Sequence, residues 1–160
     1  MLDLNTFKSV VNSTPLVSID LIINNNNNEI LIGKRINKPA KDSYFTIGGR
    51  VYKNETMMNA SIRILDEELG LKMNCTLNFI GVFEHFYEDS VFPGVSTHYI
   101  NMAYQLNLNS NDIDSLAKTQ HSSYKWISVP DLMLQEDIHS NVKAYFKKEK
   151  NRAGIQGMTI

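Results

Sequence analysis

Two carboxylates, Glu67 and Glu68, stand side by side just before Gly70, at the end of a stretch with helical periodicity. The backbone dipole opposes negative charge at a helix C-terminus, so a positive group should compensate there. A hard divalent cation would do so, since Mg²⁺ is held by one or two carboxylates together with substrate phosphates. The plainer reading is an acidic helix end, with Arg63 and Glu67, four apart on one face, forming a surface ion pair. Upstream, Arg35 and Arg50 flank the glycines Gly48 and Gly49. Arginines so placed can clamp phosphate oxygens with paired, charge-assisted bonds, or can be solvated surface charges. Asp20 is the only charge within an apolar run. A buried acid needs a partner, either a structural one or the hydroxyls of a sugar. Gln120 and His121 lie in a polar stretch over 118–123. An imidazole, with a pKa of about 6.5, is suited to taking a proton from water near neutrality, although a loop histidine often has no such task.

These residues are carried by 160 residues of ordinary globular composition, 42% hydrophobic and 21% charged, which excludes a disordered chain. At this length roughly two-thirds of the unfolded surface can be buried, so folding needs no staple. Sixteen basic and 17 acidic residues leave a net charge of −1, so no global basic field for nucleic acid exists. No run reaches about 18 apolar residues, so no membrane span is expected. The start lacks a basic segment followed by an apolar one, so no signal peptide is evident. Cys75 is the only cysteine, and it is expected to be a packed, inert thiol. Together these features favour a cytoplasmic protein with one domain over 1–150 and a mobile tail over 151–160.

The elements that must position the chemistry follow from periodicity. Leu4, Phe7, Val10 and Val11 predict an amphipathic helix over 3–11, stopped before Pro15. Strands are predicted over 16–23 and 29–35, joined as a hairpin by the asparagine run 24–28, whose residues tolerate left-handed angles. A loop over 38–42 leads to a short strand over 44–47 that runs into the two glycines. A helix over 55–69 carries Met58, Ile62, Leu65 and Leu69 on one stripe and ends at Gly70. Aromatic-rich strands are predicted over 77–87 and 97–106, with a polar loop over 88–96 between them. A further strand over 124–127 and helices over 130–134 and 141–150 complete the chain. Strands and helices mix without strict alternation, so the class is α/β or α+β.

Gly49, Glu55, Arg63, Leu65, Glu67, Glu68, Gly70 and Leu71 together resemble the Nudix box, a run of 23 residues with fixed glycine, arginine and glutamate positions. The resemblance implies an α/β Nudix fold, with a mixed β-sheet sandwiched between α-helices, and usually Mg²⁺-dependent hydrolysis of a nucleoside diphosphate linked to another group. One position departs: the glutamate that follows the arginine in that box is Ile64 here. Isoleucine can neither bind metal nor activate water, so ordinary attack on phosphorus is put in question. The same departure marks the GDP-mannose mannosyl hydrolases. The chain resembles that family elsewhere too: from Asn12 through Asp20, at Gly33 to Arg35, Gly81 to Tyr87, Thr97 to Tyr99, at Gln120 and His121, and from His139 to Phe146.

The resemblance implies hydrolysis of GDP-mannose, with GDP-glucose a second candidate, to GDP and the free sugar. Water would attack the anomeric carbon with inversion, served by one base on the face opposite the leaving group. It further implies Mg²⁺, with Mn²⁺ an alternative, bound by Glu68, the Gly48 carbonyl and Gln120. His121 would be the general base. Arg35 and Arg50 would hold the pyrophosphate and support the leaving group. Asp20, His85 and Tyr99 would contact substrate. Glu67 matches the wider box and stands between a supporting role and plain surface. His98 and His139 are read as structural. Relatives of the family are dimeric, so a homodimer is expected. Two rivals remain: a pyrophosphohydrolase cleaving between phosphorus atoms, and a non-catalytic nucleotide-sugar binding domain.

Overall fold

The computed structural model describes residues 2–72, 76–108 and 121–147. Cys75, Gln120, the end of the last predicted helix and the tail over 151–160 lie outside the described residues. The elements run α1 (Leu4–Ser13), β1 (Leu16–Asn24), β2 (Glu29–Arg35), β3 (Tyr44–Phe45), β4 (Ile47–Arg50), α2 (Met57–Leu69), β5 (Asn78–Tyr87), β6 (Thr97–Asn107), β7 (His121–Ser128), α3 (Val129–Leu134) and α4 (Ser140–Ala144).

The strands form one mixed sheet in the order β3-β2-β1-β6-β5, with β4 also paired to β1 and β7 to β2. β1 runs parallel to β6 and antiparallel to β4. The asparagine run turns the chain, with Asn28 at φ 59° and the Asn25 side chain accepting from the amides of Asn27 and Glu29. β2 meets β1 only at Asn24 and Ile30, then diverges to pair with β7 and β3.

Successive strand residues face opposite sides, and β1 is buried on both. Ile19, Leu21 and Ile23 pack under α2 with Ile64, Leu65 and Leu69. Ile22, on the other face, packs with Phe83, Ala103, Leu132 and Val142 beneath α3 and α4. The sheet therefore lies between helices, the arrangement that the resemblance to the Nudix fold implies. The same alternation puts Ser18 and Asp20 on the face of Ile22.

The helix predicted over 141–150 is cut short, since α4 ends at Ala144 and 145–147 are not helical; three other predicted elements shift. α2 starts at Met57, capped by Thr56, so Glu55 precedes the helix. Its buried face runs through Ala60, Ser61, Ile64, Leu65, Glu68 and Leu69, while Met58 is 44% exposed. Ser61 is tolerated on that face because its hydroxyl is satisfied by the Met57 carbonyl. Gly48 and Gly49 lie within β4, paired to Asp20 and Ile19, so strand pairing continues past the predicted end at 47. β7 begins at His121, three residues before the predicted strand, with His121 opposite Arg35. Gly70 ends α2 as expected, at φ 68°, with the Leu71 amide donating to the Leu65 carbonyl.

Candidate active site

Glu68 sits on the last turn of α2 and is 1% exposed, and neither carboxylate oxygen has a hydrogen-bond partner among the described residues. Burial pushes its pKa up to about 8, against the lowering pull of the Arg35 charge. His121 is fully buried beside it, with Nδ1 3.4 Å from Glu68 Oε2. Burial pushes the imidazole down to about 4, and the Arg35 charge adds to that shift. Near neutrality both are therefore uncharged in the metal-free chain, and this contact is not an ion pair. A buried, unsatisfied carboxylate on a cavity wall suits a hard cation, which takes oxygen ligands and fills the remaining positions with water and phosphate. The described residues contain no cluster of three His, Cys, Asp or Glu that could hold a metal, so such a site leans on backbone and substrate oxygens. Gly48 supplies backbone at that place.

The other box residues build the frame. Arg63 donates to both Glu55 oxygens (2.7 and 2.9 Å), to Glu67 (3.0 Å) and to the Arg50 carbonyl (2.8 Å). The Arg63 guanidinium holds the Glu55 carboxyl below its usual range. Glu55 and Arg63 thus tie the end of β4 to α2, and Glu67 joins the same network. Ile64, where the resemblance would place a glutamate, is 1% exposed and lines the cavity, and a Cβ on Gly49 would sit 3.1 Å from its Cγ1.

A cavity of about 410 Å³ brings most of the expected site together. Arg35, Arg50, Gly48, Glu68, Asp20, His85 and Tyr99 all line it. Arg50 stacks over the Phe7 ring at 4.1 Å, and Arg35 donates to the Pro39 carbonyl at 3.0 Å. Burial holds His85 below the usual imidazole range, with Asp20 opposing, and raises Tyr99. His121 is the exception, since it is outside the residues that line this cavity. Its ring lies against Gly33, where a Cβ would meet Cδ2 and Cγ at 2.5 Å. His98 stacks on Phe86 at 4.3 Å, and His139 caps α4 by accepting from the Asn141 amide, both structural placements.

Sequence reasoning missed a polar group under Asp20. Asp20 is 5% exposed, and its Oδ2 accepts from Thr46 at 3.2 Å and from the Tyr145 hydroxyl. Tyr145 also meets His85 Nε2 at 3.2 Å and Asn101 Oδ1 at 3.4 Å. The buried acid itself was the signal that partners had to exist.

Gly48 matters for its lack of a side chain. A Cβ there would lie 2.3 Å from Asp20 Oδ1 and 2.7 Å from the Ile19 carbonyl. Gly48→Ala is expected to destabilise the protein by about 1–3 kcal/mol through this overpacking. Thermal melting checks it, and an unchanged melting temperature would mean that Asp20 can move aside.

Residues 14–148 match the family model described as NUDIX domain. The chain is 37% identical over 140 residues to the low-salt glycan biosynthesis protein Agl8 of Haloferax volcanii, covering 87% of this chain and 85% of that protein. In fold it is similar to a MutT protein from Methanosarcina mazei Go1, with TM-score 0.68 and 17% identity, over 84% of this chain and 92% of that one. It is also similar to the NUDIX domain of Shewanella oneidensis NrtR, solved with ADP ribose, with TM-score 0.63 and 13% identity, over 91% and 90% of the two chains.

Proposed function

The chain belongs to the Nudix hydrolase family, and we propose that within it the protein hydrolyses GDP-mannose to GDP and mannose by attack of water on the anomeric carbon. The observation that carries this reading is Ile64. A fully buried hydrocarbon side chain occupies the wall position of the phosphorus-directed glutamate. Attack at carbon has no need of that carboxylate. The relative named for glycan biosynthesis is in keeping with a sugar-linked substrate.

In this reading Glu68, the Gly48 carbonyl and Gln120 hold Mg²⁺, or Mn²⁺ in its place. The bound cation supplies charge that stabilises the departing diphosphate. Arg35 and Arg50 bind the phosphate oxygens and share the negative charge that grows on the bridging oxygen as its bond to the sugar breaks. Asp20, His85 and Tyr99 orient the sugar by its hydroxyls. The incoming oxygen bonds to the anomeric carbon on the opposite face, and its proton passes to His121, which burial keeps neutral and able to accept it. For this the buried ring must reach the water.

Hydrolysis in water labelled with heavy oxygen tests the reaction. The label is expected on mannose, with GDP unlabelled. Label on a phosphate product, with GMP and mannose 1-phosphate formed, would sink this reading in favour of a pyrophosphohydrolase. Binding of GDP-mannose with no turnover in Mg²⁺ would instead mark a binding domain. Running GDP-glucose alongside ranks the sugars.

A further inference from the structure

Tyr145 follows α4, is fully buried, and packs its ring edge-on against Phe83 at 4.8 Å. The ring belongs to the core beneath α3 and α4, while the hydroxyl lies behind three residues that line the cavity. There it meets Asp20 from β1, His85 from β5 and Asn101 from β6. A phenol has one hydrogen to give. Charge-assisted bonds to carboxylates are the stronger, so that hydrogen goes to Asp20 Oδ2 rather than to Asn101 at 3.4 Å. Toward His85 the phenol oxygen is then an acceptor, and Nε2 must carry the imidazole hydrogen. His85 Nδ1 is left as an acceptor. Asn101 is fixed separately, donating to the Ser18 hydroxyl at 2.8 Å.

We propose that Tyr145 is a positioning residue: through one hydroxyl it fixes both the Asp20 carboxylate and the His85 tautomer, so that each offers an acceptor to a hydroxyl-rich ligand. The C-terminal segment thereby sets the sugar end of the cavity without touching the ligand. Burial next to the Asp20 charge keeps the phenol protonated, so the donor persists across neutral pH. Burial likewise keeps His85 uncharged, as the tautomer requires. This proposal rests on the nucleotide-sugar reading above.

The test compares wild type, Tyr145→Phe, Asp20→Asn and the double variant, each by GDP-mannose turnover, inhibition by GDP, and melting temperature. Tyr145→Phe keeps the ring that the core needs and removes only the hydroxyl. Each single variant is expected to lose about ten- to hundredfold in kcat/KM. The double variant should lose clearly less than the product of the two single losses, because Tyr145 acts partly through Asp20 and partly through His85. Inhibition by GDP, which lacks the sugar, should change by less than about threefold. Multiplying losses, or an equal weakening of GDP, would overturn the proposal and leave Tyr145 a general stabiliser. If wild type turns over no GDP-mannose, the functional reading falls, and with it the sugar part of this proposal. The melting temperatures still read the bond: coupled shifts support the Tyr145 hold on Asp20, and additive shifts overturn it.

Discussion

Glu68→Gln is expected to cut Mg²⁺-dependent turnover by about a hundredfold or more, and also to stabilise the metal-free protein at alkaline pH. The first effect follows because the amide keeps the shape of the carboxylate but cannot offset a divalent charge; even residues that only support metal ligands cost about 10–100-fold when changed. The second follows from linkage. The folded pKa of Glu68 is raised to about 8 by burial, from 4.5. Its contribution to stability is therefore fully present below the unfolded value and is lost as pH rises toward 8. His121 works in the opposite sense, lowered to about 4, so its contribution is present above 6.5 and lost as pH falls toward 4. The two slopes oppose each other below about pH 6.5. Between about pH 6.5 and 8 Glu68 acts alone, and wild type should lose on the order of 2 kcal/mol there. The Glu68→Gln variant, with no proton to release at this position, should show no such decline. Mg²⁺ should remove it too in wild type, because a ligand that binds only the folded state adds stability, and this one must displace the Glu68 proton. A wild-type melting temperature that is flat over this range without metal would refute the raised Glu68 pKa, and a variant that keeps the wild-type response to Mg²⁺ would refute Glu68 as the principal ligand.

What the sequence disclosed and what it hid divide along the distance over which each feature is decided. Local chemistry is legible. The asparagine turn and the left-handed Gly70 depend on neighbours a few residues away. The box spacing is legible because α2 delivers Arg63 and Glu67 to one face by its own period. Features decided across the sheet are not. The predicted strand stops at Ile47 because glycine weakens any strand pattern, yet β1 pairs with both Gly48 and Gly49. His121 reads as a loop residue because Ser122 and Ser123 follow it, yet β2 recruits it opposite Arg35. The space for its ring exists only because position 33, on a neighbouring strand, has no side chain. Met58 reads as core because its apolar type outweighs that of Ser61, yet the docking of α2 turns Ser61 inward, where the Met57 carbonyl satisfies its hydroxyl. The Tyr145 hydroxyl is hidden most deeply, since its partners lie 44 to 125 residues away.

His121→Ala is expected to slow GDP-mannose hydrolysis by about 10²–10⁴-fold while leaving GDP-mannose binding within a small factor. Arg35 and Arg50 still line the cavity in that variant and still hold the phosphates. The neutral imidazole is the active form, so activity that depends on it is present above its pKa and falls as pH drops through it. With that pKa pushed down to about 4, the profile should stay level through the neutral range and bend only in acid, and the variant should lose that bend. The fully buried ring, 3.4 Å from Glu68 and away from the cavity lining, allows a second way for the same substitution to act. If His121 merely props Glu68, the loss should appear in the Mg²⁺ requirement, and saturating Mg²⁺ should restore kcat. If it accepts the proton, kcat stays low at any Mg²⁺ concentration and the acid bend goes with it. The split between these two readouts therefore decides whether the ring leaves its place over Gly33 during turnover. A loss below about tenfold with the acid bend intact removes His121 from both roles and passes the base to Glu67, which already lines the cavity.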